Sequence, residues 1–200
     1  MKVYKPYAMV TVPQRVLTLT TTPSVTSSSR GADVDKDNTP FDESLEGCSS
    51  IAEIFELVKA RVSFHIGRER TNLMVGLSDL GTGPGGFIGA YCAIGGNIIV
   101  INKRILVKVK AKHPELYNEY LFFILLHEYI HGLGFSNERE TEELTLSIAK
   151  TLGNKTIIEL ATDMSRFFPD IVFSPVGMRP QQRYIEFEHG IDQKETSYIR

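Results

Sequence analysis

The chain has 200 residues, 42% of them hydrophobic, which is enough for one domain with extensions or at most two small ones. Its 22 Lys plus Arg nearly balance its 24 Asp plus Glu, which argues against a nucleic-acid partner, since phosphate contacts need a basic face. Two cysteines, Cys48 and Cys92, are too few for a disulfide framework or a four-cysteine zinc site and read as free thiols.

The N-terminal stretch has no continuous apolar core of signal-peptide type, being broken by Thr11, Pro13, Gln14 and Arg15. Residues 16–22 fit one strand, residues 20–30 are almost all Thr, Ser and Pro, and residues 31–46 are acidic. Such a composition buries little, so residues 1–46 read as a loop-like extension. Asp33, Asp35 and Asp37 imitate the start of a calcium loop, but Asn38 and Ser44 stand where glycine and the bidentate glutamate belong.

From Ser49 the pattern is regular. Ser50 caps a predicted helix with Ile51, Ile54, Leu57, Val58 and Val62 at helical spacing. The basic run at residues 68–70 reads as solvated surface, and residues 71–80 as a strand with Leu73, Val75 and Leu77 on one face. Residues 81–86 are a glycine-rich loop without the Gly-Lys-Ser/Thr ending of a phosphate loop. Residues 87–94 and 97–102 are two strands joined by Gly95 and Gly96, a hairpin signal. The lysines of residues 108–112 again read as surface.

Pro114 suits the first turn of a helix through Tyr117, Tyr120, Leu121, Ile124 and Leu125 to about His131, ended by Gly132 and Gly134. Its apolar run at residues 121–126 is too short to span a bilayer, so a soluble, cytoplasmic protein is expected. Ser136 or Asn137 caps a helix to about Leu152, and Asn154 caps another to Phe168. Residues 170–200 form a tail with strand-like pieces at 171–173 and 184–187. The expected fold class is α+β: a small antiparallel sheet of about three strands packed on an active-site helix and a following glutamate helix, with N- and C-terminal extensions. The central domain covers residues 47–169.

The chemistry concentrates at His127-Glu128-Tyr129-Ile130-His131. Two histidines four apart on a helix project from one face about one turn apart, so two neutral imidazoles reach one zinc ion. Glu128, rotated by about 100° around the axis, stands beside the metal and fits the general base and acid that serves a zinc-activated water. A catalytic zinc needs a third protein ligand and an open fourth position. Asn137 occupies the place of the third histidine in HExxHxxGxxH and is a poor ligand, whereas Glu138, Glu140 and Glu142 are all candidates. Glu138 and Glu142 share a face, with the small Thr141 and Thr145 beside them; this resembles the gluzincin arrangement of a ligand glutamate followed by a small residue and an acidic one, and the resemblance implies Glu138 as ligand and Glu142 as its outer partner.

HEYIH followed by NERETEE resembles the gluzincin clan of metallopeptidases, particularly the archaeal minigluzincins, over about residues 50–168. The gap between His131 and Glu138 is shorter than thermolysin-like spacing. The resemblance implies a zinc endopeptidase acting on peptides or unfolded proteins bound in extended form to a sheet edge, at residues 87–94 or 97–102. It also implies that a terminal segment can lie in the cleft, with Glu186, Glu188 or His189 offering a ligand. The competing expectation is a non-catalytic, zinc-stabilised module that binds peptides or partners through the sheet edge. Oligomeric state is not legible.

Overall fold

The computed structural model describes residues 40–81, 88–93, 95–168 and 184–189. The strand at 16–22, the calcium-like run and the piece at 171–173 lie outside the described residues. Within them the fold is α+β, with six helices and one four-stranded sheet.

Helix α1 (Phe41–Glu46) lies where a loop was expected, and buries Leu45. Phe41 meets Phe122 edge-to-face at 5.1 Å, and Asn118 Nδ2 donates to the Leu45 and Cys48 carbonyls, so this short helix is fastened to the core. Helix α2 (Ile51–Ile66) starts at the expected cap, Ser50, whose hydroxyl accepts from the Glu53 amide. Its apolar stripe is buried at Ile51, Ile54, Phe55, Val58 and Val62.

Strands β1 (Met74–Ser78), β2 (Ala90–Cys92), β3 (Ile98–Asn102) and β4 (Glu186–Phe187) stand in the order β2–β3–β1–β4. β2 and β3 form the expected hairpin, Ala90 opposite Ile101 and Cys92 opposite Ile99. Its turn is closed by the Gly96 amide on the Ala93 carbonyl at 2.7 Å, with Gly95 at φ 75°. The all-antiparallel expectation is corrected: β1 runs parallel to β3, Met74 opposite Ile98 through Ser78 opposite Asn102. β3 is buried from Ile99 to Asn102, as befits an interior strand covered on both faces. Residues 97–102 therefore offer no free edge, and β2 is one edge strand of the described sheet, with β4 at the other.

β3 passes into α3 (Lys103–Lys112) with no loop, a helix that the lysine-rich reading missed. Ile105, Leu106 and Val109 form its buried stripe, while the lysines face outward. Asn102, fully buried, ends the strand and caps the helix by accepting from the Arg104 amide at 3.2 Å. Its Nδ2 donates to the Gly81 and Ile88 carbonyls, at 3.1 and 2.8 Å, and its Oδ1 also accepts from the Leu80 amide.

After a tight 3₁₀ turn at Pro114–Leu116 comes α4 (Tyr117–Gly132), buried without a break from Tyr120 to Gly132. A helix apolar on all sides must be enclosed, and α4 packs against α2, the hairpin, α5 (Glu138–Leu152) and α6 (Lys155–Asp163). Each large apolar side chain so buried contributes roughly 1.5–3 kcal/mol, which makes α4 the axis of the core. α5 and α6 begin at their asparagine caps, Asn137 and Asn154. No helix among the described residues is long and apolar enough to cross a membrane.

Candidate metal centre

His127 and His131 lie near the buried C-terminal end of α4, and Glu138 is the first residue of α5. A five-residue turn reverses the chain between the two helices, with Gly134 at φ 100°, a conformation that costs glycine little. Asn137 Oδ1 then accepts from the Glu140 amide and starts α5 with Glu138 facing back onto α4. The small Thr141 and Thr145 are buried at the helix contact, as their size suggested.

Three side chains converge. The two histidine Nε2 atoms are 3.2 Å apart. Glu138 Oε1 is 3.2 Å from His127 Nε2, and Oε2 is 3.2 Å from His131 Nε2. Among the described residues this trio forms a group that could hold a metal ion. Burial alone would raise the Glu138 carboxyl, but the two imidazoles outweigh it and hold the group at about 2, so it is an anion throughout the physiological range. His131 Nδ1 sits 2.7 Å from the Phe135 carbonyl, with Thr141 Oγ1 at 3.4 Å. A hydrogen on Nδ1 donated to that carbonyl leaves the Nε2 lone pair aimed at the convergence point.

Glu128 is 1% exposed, and neither of its carboxylate oxygens makes a well-formed hydrogen bond, although the Cys92 main-chain amide is near enough to favour its charge. Burial pushes its carboxyl above the usual range; His127, His131 and the Cys92 amide oppose that, and Glu138 adds to it. Cys92 on the edge strand is its neighbour, and the thiol is itself pushed up to about 12 by burial and by the Glu128 charge, against Arg70.

Of the other candidates, Glu140 is exposed on the outer side of α5. Glu142 lines a small cavity with His127, Phe123, Thr145 and Ala161, beside the trio and outside it. The tail residues are placed elsewhere: Glu186 is paired with Lys103, and the Glu188 amide donates to the Val75 carbonyl on the far side of the sheet from β2. Among the described residues, Glu186, Glu188 and His189 are not part of the group that could hold a metal. Arg70, dismissed as surface from the sequence, ties the site together. Its guanidinium donates to the Gly132 carbonyl at 2.6 Å and the Gly96 carbonyl at 2.7 Å, while its amide donates to Tyr129 Oη at 2.9 Å. The end of α4 and the tip of the hairpin are thus held by one side chain. Its partners are mainly main-chain carbonyls, which leave no trace in a sequence.

No family model matches the chain, and neither does any curated protein or solved structure.

Proposed function

We propose that the chain is a zinc-dependent peptidase of gluzincin type, with His127, His131 and Glu138 as ligands and Glu128 as general base and acid. The observation that carries this reading is the convergence of His127, His131 and Glu138 beside the buried carboxyl of Glu128. Ligands at about 2.0–2.1 Å around a tetrahedral zinc lie roughly 3.3 Å from one another; here the two Nε2 atoms are 3.2 Å apart, and each lies 3.2 Å from a different oxygen of Glu138.

When bound, zinc acidifies a water molecule and polarises the scissile carbonyl. Glu128 receives the proton of the attacking water and delivers it to the nitrogen of the leaving amine. Its buried setting strengthens its hold on that proton between the two transfers. The open edge of β2, which carries Cys92 next to Glu128, is the place for an extended substrate to pair through its main chain.

One observation favours a second reading. Glu128 is almost wholly buried, and closed metal sites are typically structural while catalytic ones keep an open position. On that reading the metal stabilises a peptide-binding module. Elemental analysis and hydrolysis of an unfolded, casein-like substrate, each on wild type and Glu128→Gln, separate the two. The peptidase reading expects one zinc per chain in both proteins and a loss of hydrolysis of about 10²–10⁴-fold in the variant. Zinc without proteolysis supports the module; hydrolysis that survives the substitution refutes the mechanism.

A further inference from the structure

The edge of β1 away from β3 is covered by a short piece of the tail. Gly76 pairs with Phe187 and Leu77 with Glu186, antiparallel, and the Glu188 amide adds a bond of 2.9 Å to the Val75 carbonyl. Two side-chain features make the fit selective. A Cβ on Gly76 would come within 2.4 Å of Ile185 Cγ2, so the absence of a side chain there forms the notch in which Ile185 sits. Lys103 Nζ, at the start of α3, lies 2.7 Å from both carboxylate oxygens of Glu186. The acceptor therefore reads a residue pattern as well as a backbone.

Little holds this strand. It is two residues long, Phe187 is 47% exposed, and the Lys103–Glu186 pair is about half exposed on both sides, so solvent screens it. Strands with so few buried contacts open well below the free energy of global unfolding. Once open, they leave a row of unpaired main-chain groups on β1 that attracts another extended segment.

We propose that the β1 edge is a peptide-acceptor site. Its ligand class is an extended segment with an aliphatic residue for the Gly76 notch, then a carboxylate for Lys103. The chain's own Ile185 and Glu186 fill it in cis, and the same segment supplied in trans exchanges with them. The site is independent of the metal centre, on the opposite edge of the sheet from β2.

The test uses the full chain and its exposed Lys103→Glu variant, which disturbs no buried group. Fluorescein-labelled peptides spanning residues 182–190 are titrated in an anisotropy assay: the native sequence, one carrying Glu186→Lys, and one carrying both Glu186→Lys and Ile185→Asp. The Glu186→Lys peptide is expected to bind the Lys103→Glu protein roughly fivefold tighter than the native peptide does. Adding Ile185→Asp should abolish that binding. In parallel, hydrogen exchange on the wild-type chain should show the Glu188 amide exchanging far faster than the β3 amide of Ile101. Binding that ignores the charge reversal, no binding by any peptide, or a Glu188 amide that exchanges only with global unfolding would each overturn the proposal.

Discussion

Replacing Glu128 by Gln keeps the shape of the side chain and removes its charge. In the metal-free protein the carboxylate is buried with no well-formed hydrogen bond to either oxygen, the Cys92 amide offering partial support. An unsatisfied buried polar group costs about 1–3 kcal/mol, more when charged. Gln still buries an amide in the same place, so the expected gain is the charged part of that cost, about 2 kcal/mol. For a chain of 200 residues each kcal/mol moves the midpoint by about 2–4 °C. Thermal unfolding in a chelator should therefore show the variant melting roughly 4–8 °C above wild type. In excess zinc the cation beside Glu128 compensates its charge, and the difference should shrink. If the variant instead melts below wild type in chelator, the carboxylate is a structural partner and the reasoning fails.

Glu138→Ala should lose stoichiometric zinc, whereas Glu142→Gln should keep one zinc per chain with affinity lowered about 10–100-fold, as expected for a group behind His127. Equal loss in both, measured by competition with a chromophoric chelator, would reassign the third ligand. Asn102→Ala leaves the Gly81 and Ile88 carbonyls and the Arg104 amide without their partner. It should cost about 2–3 kcal/mol in urea unfolding, and a cost below about 0.5 kcal/mol would deny its role. The Cys92 thiol, pushed up to about 12 from an ordinary 9.0, holds about a thousandfold less thiolate than an unperturbed cysteine at pH 8.5. Peptide mapping after brief iodoacetamide treatment should therefore find Cys48 alkylated well before Cys92, and the reverse order would contradict the burial described.

Much of the helical framework is legible because its ends are marked. Ser50, Asn137 and Asn154 stand where the caps are found, ahead of apolar residues at helical spacing. The two histidines follow from their spacing on α4. Glu138 could only be favoured, since a five-residue turn separates it from His131, and its approach depends on Gly134 in a left-handed conformation and on Thr141 being small enough to let α5 close. α3 was hidden by lysines alternating with valines, although Ile105, Leu106 and Val109 carry the helical stripe. α1 is too short for any periodicity to reveal. The parallel pairing of β1 with β3 depends on where the hairpin lands after the strands are made, and alternation within a strand carries no such information. Arg70 was misjudged for a related reason: two arginines two residues apart look alike until one finds carbonyls to bind.

The buried amide of Asn102 has a consequence for how this chain can change. Gly81, after the end of β1, and Ile88, ahead of β2, are both tethered to it, so one side chain fixes the chain at both places. The end of β1, the approach to β2 and the start of α3 thus share one polar anchor, and a change at Asn102 is felt at all three together.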